Sequence, residues 1–252
     1  NISQGLVASL FSPNLLVTDI IKPDTITGDP NNGFAFQNKT LASDSYEAEL
    51  EYNSVYLAYD HMLNSRYQFI AGVRYEDYKQ TTETFSLQGV GAAVESLIDE
   101  GSVLPSLGFN WLYSDTQQLR FAASQTVARP DFKEAANATF YDTEFDFRVR
   151  GNPNLEISEI INLDLRWEWY FSEENSVSAA LFYKDMDKPI ERVVQPASGT
   201  AGNSRTFDNA DSAELYGVEI EGKKEFQLGE DYSRSFFVAL NASLIESEVE
   251  RL

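Results

Sequence analysis

Apolar and polar residues alternate along most of this chain. The alternation is cleanest over residues 161–171, INLDLRWEWYF. Leu163, Leu165, Trp167, Trp169 and Phe171 fall on one side of an extended chain, and Asn162, Asp164, Arg166, Glu168 and Tyr170 on the other. Strand side chains point alternately to opposite faces, so the pattern predicts a strand with one apolar and one charged face. The same period runs through YNSVYLAYD (52–60), RYQFIAGVRYED (66–77), LPSLGFNWLY (104–113), LRFAASQT (119–126), VSAALFYK (177–184), YGVEIEGK (216–223) and FFVALNASL (236–244). That makes roughly eight strands of about 9 residues or more, the length a tilted strand needs to cross a bilayer. Strands of soluble sheets more often run about 5 or 6 residues.

The connections separate two readings of this pattern. HMLNS, SDTQ, SEEN and LGEDYSR are short and polar, and they alternate with long segments at 80–103, 128–159 and 185–208. Short and long connections in turn are what an up-and-down barrel produces when its two rims face different compartments; a Greek-key sandwich has no reason to keep that order. Tyr67, Trp111, Tyr113, Trp169 and Phe171 sit beside the short turns, where interfacial aromatics belong. The predicted fold is all-β: an antiparallel up-and-down meander, part of a large transmembrane β-barrel with short periplasmic turns and long extracellular loops. Leu163, Leu165, Trp167 and Trp169 are then expected to face lipid. Asp164, Arg166, Glu168, Glu219 and Glu221 are expected to face a wet lumen. Residues 1–45 have turn chemistry and little periodicity, as in KPDTITGDPNNGF, and read as an extracellular-loop-like segment; 46–252 reads as the partial barrel.

Composition narrows the chemistry. Mean hydropathy is -0.34, and no apolar run approaches the roughly 18 residues of a helical span. Barrel strands average out as polar, so that leaves a barrel open. A net charge of -21 argues against nucleic acid, whose phosphates call for Lys and Arg. With no cysteine and one histidine, neither Cys/His zinc sites nor a Cys nucleophile are expected. His61 reads as a solvated residue in a short turn. Paired acids such as Asp99-Glu100, or Glu246, Glu248 and Glu250, read as a solvated face, so no catalytic residue, metal site or cofactor is expected.

Four segments follow one another: SQTVARPDF (124–132), GNPNLEISEIINLDLRWEWYFS (151–172), VSAALFYKDMDKPIE (177–191) and NADSAELYGVEIEGKKEF (209–226). In order and spacing they resemble the later barrel strands of TonB-dependent outer-membrane receptors, and GVRYE (72–76) resembles the strand before them. The resemblance covers roughly residues 46–252. The family often has Lys-Pro after GNPNL, where this chain has Glu156-Ile157. Pro130 is expected to end ladder pairing as the strand leaves the wall, with Arg129 and Asp131 staying wet. Gly151 is expected to supply backbone freedom in the turn that returns to the wall.

The resemblance implies a 22-stranded barrel in the bacterial outer membrane, closed by a plug domain that this sequence does not contain. It implies outer-membrane lipid as a neighbour, the TonB complex as a partner acting through that plug, and passage of a scarce nutrient into the periplasm. Eight strands and a final SEVERL without a terminal aromatic strand read as an internal piece of such a barrel, whose open edges would pair or aggregate if isolated. Ligand contacts are expected from FYDTEFDFRVRGN, through Tyr141, Phe145, Arg148 and Arg150. Aromatic rings stack on sugars or flat cofactors, and arginines fork onto carboxylate or phosphate. The ARPDF…GNPNL style resembles the branch linked to plant or algal oligosaccharide uptake, with ferric siderophores and cobalamin as other ligands. A soluble or surface β-sandwich, an adhesin-like binding module, is the alternative, and a β-rich hydrolase a third. Lipid against Leu163, Leu165, Trp167 and Trp169 separates the first two.

Overall fold

The computed structural model describes residues 45–85, 93–142, 147–195, 204–228 and 234–250. Almost all of the segment 1–45 therefore lies outside the described residues. Eight antiparallel strands form one sheet in the order β1 (Tyr46–Asn64), β2 (Tyr67–Thr84), β3 (Val94–Trp111), β4 (Gln117–Ala128), β7 (Ser158–Tyr170), β8 (Ser176–Asp187), β11 (Ser212–Leu228) and β12 (Arg234–Glu250). Each strand pairs with the next of the series, so the sheet is a meander. The period-two pattern dictates this arrangement: aligned apolar positions put all eight strands in one register, and a one-residue slip would reverse both faces.

The short connections are tight. Asn64 Oδ1 accepts the backbone N–H groups of Arg66 (2.8 Å) and Tyr67 (3.2 Å), an Asx-type turn. His61 is not in that turn. It sits within β1, paired with Phe69, its ring stacked at 5.8 Å on Tyr59. The strand continues through His61 and Met62 and is interrupted only by a bulge at Leu63, between the Met62–Gln68 and Asn64–Tyr67 pairs.

The long segments are more structured than the sequence predicts. Residues 80–84 and 94–103 extend β2 and β3 as strand. After β4 the chain turns at Pro130 into a single helical turn, α1 (Phe132–Ala135), where the Asp131 N–H donates to Glu134 Oε2 at 2.9 Å. The remaining pieces form a second sheet in the order β5 (Thr139–Asp142), β6 (Phe147–Arg150), β10 (Ser204–Asn209) and β9 (Ile190–Gln195), with β6 and β10 parallel. Val149, Leu155 and Phe207 form its small buried core, with Phe140, Phe147 and Ile190 packed against it.

Two sequence expectations need correction here. Arg129 is not wet: its side chain is 15% exposed, pairs with Glu76 at 2.8 Å and lies 4.3 Å over the Tyr78 ring. Its planar cation rests on a carboxylate and an aromatic face instead of water, although its buried Nε has no hydrogen-bond partner. Gly151 has no left-handed φ. A Cβ there would stand 2.0 Å from the carbonyl oxygen of Ala136 and 2.5 Å from that of Lys133, so the position demands space, not backbone freedom.

Candidate functional site

The two faces of the main sheet differ from β2 through β11, while β12 carries apolar residues such as Phe237 and Ile245 on the second face too. Tyr67, Phe69, Val73 and Tyr75 of β2, Leu107, Phe109 and Trp111 of β3, and Leu163, Leu165, Trp167 and Trp169 of β7 share one face through the pairing register. Large apolar side chains stay exposed there, including Leu107 at 60% and Leu244 at 74%. Near the short turns the face becomes aromatic. Tyr67 stacks on Phe109 and Trp111 at 6.1 and 6.3 Å, Trp169 lies 5.1 Å from Phe171, and Phe226 stacks on Phe236 at 4.9 Å. Trp167 Nε1 donates to the Tyr113 hydroxyl at 2.6 Å. At the other end of the band the outermost rings are Tyr75, Tyr183 and Tyr216, and the next residues on that face are Asp77, Asp185 and Glu214. Tyr67 to Tyr75 covers nine residues of β2, the length of a tilted crossing.

The opposite face carries charges, of which Arg120, Arg166, Glu168 and Glu221 pair with one another. Glu168, with 8% side-chain exposure, accepts from Arg166 Nε at 2.9 Å and from the Gln118 amide, and forms an ion pair with Arg120 at 3.2 Å. Arg166 also reaches Ser178 Oγ at 2.8 Å and Glu221 at 3.1 Å. The register puts Asp164, Arg166, Glu168, Glu219 and Glu221 all on this face, bringing together the charged set singled out in the sequence.

Farther from the short turns, one residue beyond Tyr75, a second cluster forms around Glu76. Its carboxylate accepts from the Tyr52 hydroxyl (2.6 Å), Arg74 Nε (2.6 Å) and Arg129 (2.8 Å). Burial pushes this carboxyl up, but the three donors outweigh that and hold it down at about 2.

The small sheet gathers the predicted ligand residues. Tyr141 and Arg148 are direct cross-strand partners, and Arg150 is two residues along on the same face. All three are exposed, and Arg150 Nε donates to Asn137 Oδ1 at 3.0 Å. Phe145 lies outside the described residues. On the core-side face, which the sequence reading missed, Arg205 lies 3.8 Å over Phe147, and Arg192 pairs with Asp142 at 3.2 Å. The alternation in FRVR, with Phe147 and Val149 against Arg148 and Arg150, was the available signal.

An exposed apolar band edged by aromatics, backed by a face of paired charges, defines a wall of a membrane-spanning β-barrel. The chain matches the family described as "TonB dependent receptor-like, beta-barrel" over residues 14–247, and it belongs to that family. Members are receptors and transporters of the bacterial outer membrane, not enzymes. Among curated proteins none matches the chain. Solved structures share its fold. They include the ferric yersiniabactin uptake receptor FyuA from Yersinia pestis (19% identity, TM-score 0.56, covering 81% of this chain and 28% of that one). The alcaligin outer-membrane receptor FauA from Bordetella pertussis gives 18% identity and TM-score 0.52, covering 81% and 31%. The ferric-catecholate import receptor Fiu from E. coli K12 gives 10% identity and TM-score 0.55, covering 82% and 29%. The chain thus spans less than a third of the length of these receptors.

Proposed function

We propose that this chain forms part of the wall of an outer-membrane active-transport receptor that captures a scarce nutrient and passes it inward with TonB-coupled energy. The ligand classes in play are an oligosaccharide and a ferric siderophore-type chelate; the similar folds of the ferric yersiniabactin uptake receptor FyuA and the ferric-catecholate import receptor Fiu support the second. The observation carrying the reading is the division of one register-locked sheet into an exposed apolar face and a charged face on which Arg166 pairs with Glu168 and Glu221. In this reading Leu163, Leu165, Trp167 and Trp169 meet lipid, while Asp164, Arg166, Glu168, Glu219 and Glu221 line the lumen. Tyr141, Arg148 and Arg150 meet the ligand at the outer rim. The TonB complex acts through a plug domain outside this chain.

Uptake by the whole receptor in living cells tests this. Deleting the TonB partner is expected to abolish accumulation of the ligand while surface binding persists. Accumulation that continues unchanged without TonB overturns the proposal. A period-two lipid-quenching pattern along 161–171, strong at odd positions, checks the orientation.

A further inference from the structure

Among the described residues the chain passes between the eight-stranded wall and the four-stranded rim sheet four times, after β4, β6, β8 and β10. The last three passages meet at one side chain. Asn209 closes β10. Its Nδ2 donates to the carbonyl oxygen of Lys188, between β8 and β9, at 2.7 Å. The same nitrogen donates to the carbonyl oxygen of Glu156, between β6 and β7, at 3.2 Å. Asn209 Oδ1 accepts the backbone N–H of Glu156 at 2.9 Å. Both amide hydrogens and the amide oxygen are thus committed, all to main chain. Toward Glu156 the amide acts as a neighbouring strand would, giving one bond and taking one.

Lys188 adopts an unusual conformation at this junction. Its φ is 50°, the one left-handed non-glycine residue among those described, and Pro189 follows. A residue before proline is ordinarily pushed to extended backbone, and lysine gains nothing from the left-handed region. Such a conformation persists only where its surroundings fix it. The stretch 209–211 does so. The Lys188 N–H donates to the Asp211 carbonyl at 3.2 Å, the Lys188 carbonyl accepts from Asn209, and the Pro189 carbonyl accepts from Ala210 at 2.9 Å. Lys188 Nζ also pairs with the Glu156 carboxylate, but the two side chains are 44% and 62% exposed, where an ion pair contributes little. The amide of Asn209 is the stronger tie.

We propose that Asn209 is the positioning residue of the rim: its amide fixes the four-stranded sheet to the wall and so sets where Tyr141, Arg148 and Arg150 stand. β6 carries both arginines and runs through Gly151 and Asn152 toward the tied Glu156. Asn152 Nδ2 donates to the Phe207 carbonyl at 3.0 Å, which binds that same turn to β10. What the three rim residues meet rests on the receptor reading; how they are held does not.

The test uses the whole receptor in lipid vesicles, spin-labelled through Gln195→Cys on the rim and Glu173→Cys in a short turn of the wall. The rim-to-wall distance distribution, read by pulsed electron resonance, is expected to be narrow in the otherwise unaltered protein and broader in Asn209→Ala. Amide exchange in β6, β9 and β10 is expected to run about tenfold faster in that variant, the loss of one or two neutral hydrogen bonds, with β7, β8 and β11 unchanged. Asn209→Asp keeps the acceptor for the Glu156 N–H but loses the donor to Lys188, and is expected to broaden the distribution too. Glu156→Gln removes the ion pair and leaves all three bonds of Asn209, so neither readout should change. Three results overturn the inference. The rim is held as well in both Asn209 variants as in the unaltered protein; or wall and rim loosen together in both, which makes Asn209 a general fold residue; or Glu156→Gln loosens the rim as much as Asn209→Ala, which puts the mount in the ion pair. Uptake that persists without TonB refutes the receptor reading and leaves the mount standing.

Discussion

The eight-stranded wall and the four-stranded rim sheet are built from the same alternating pattern, but they spend it in opposite ways. The rim sheet turns its apolar residues inward, onto Val149, Leu155 and Phe207, and leaves Tyr141, Arg148 and Arg150 exposed. That is the arrangement of a sheet in water. The wall does the reverse: its apolar face stays exposed, while its charged face is knitted by Arg166, Glu168 and Glu221. Period two alone therefore does not say which side is inside. Strand length does, since the rim strands run 4 to 6 residues and the wall strands 12 to 19.

The sharpest way to break this contrast is to place one kind of substitution in both sheets. Leu165→Arg, in the apolar band, is expected to cost about 2–4 kcal/mol of folding stability in lipid vesicles. Gln195→Arg, at an exposed rim position opposite Ser204, is expected to stay within about 0.5 kcal/mol. Equal costs in urea titrations of the whole receptor would erase the distinction.

Gly151→Ala comes next. Its methyl would press on the carbonyl oxygens of Ala136, Lys133 and Glu134. The expected cost is about 1–3 kcal/mol, the usual range for overpacking. It is confined to the rim, read as faster amide exchange in β5 and β6 with β7 and β8 unchanged.

Acid probes the boundary between the two regions. Glu76 has its folded-state pKa lowered to about 2 from 4.5. Its contribution is fully present above about pH 4.5 and is lost as pH falls from there toward 2. The wall is expected to unfold at lower urea at pH 3 than at pH 6, and Glu76→Gln should flatten that step. The smallest effect is expected from Tyr113→Phe, which removes the acceptor for Trp167 Nε1. About 1 kcal/mol and a change in tryptophan emission should follow.

The wall was legible because its apolar residues recur every second position for nine residues or more, as in 161–171. The charged set at Arg166, Glu168 and Glu221 was legible for the same reason. The upper halves of β2 and β3 were not. In EDYKQTTET both faces are polar, Glu76, Tyr78, Gln80 and Thr82 alternating with Asp77, Lys79 and Thr81, so there is no hydrophobic contrast to read. The rim strands were hidden for a different reason. Four residues give too few periods, and the parallel pairing of β6 with β10 joins segments more than 50 residues apart, which no local pattern reports. Arg129 looked solvated because its partners, Glu76 and Tyr78, also lie some 50 residues away.

The uninterrupted pairing of β2 with β3 has an evolutionary corollary. Eighteen consecutive partners, from Tyr67–Trp111 to Thr84–Val94, leave no slack inside the ladder. Gaining or losing a single amino acid within it would turn every later side chain of that strand inside out, oil for charge. Descendants of this gene should therefore vary in length by even steps within the strands, and freely only at the hairpin tips.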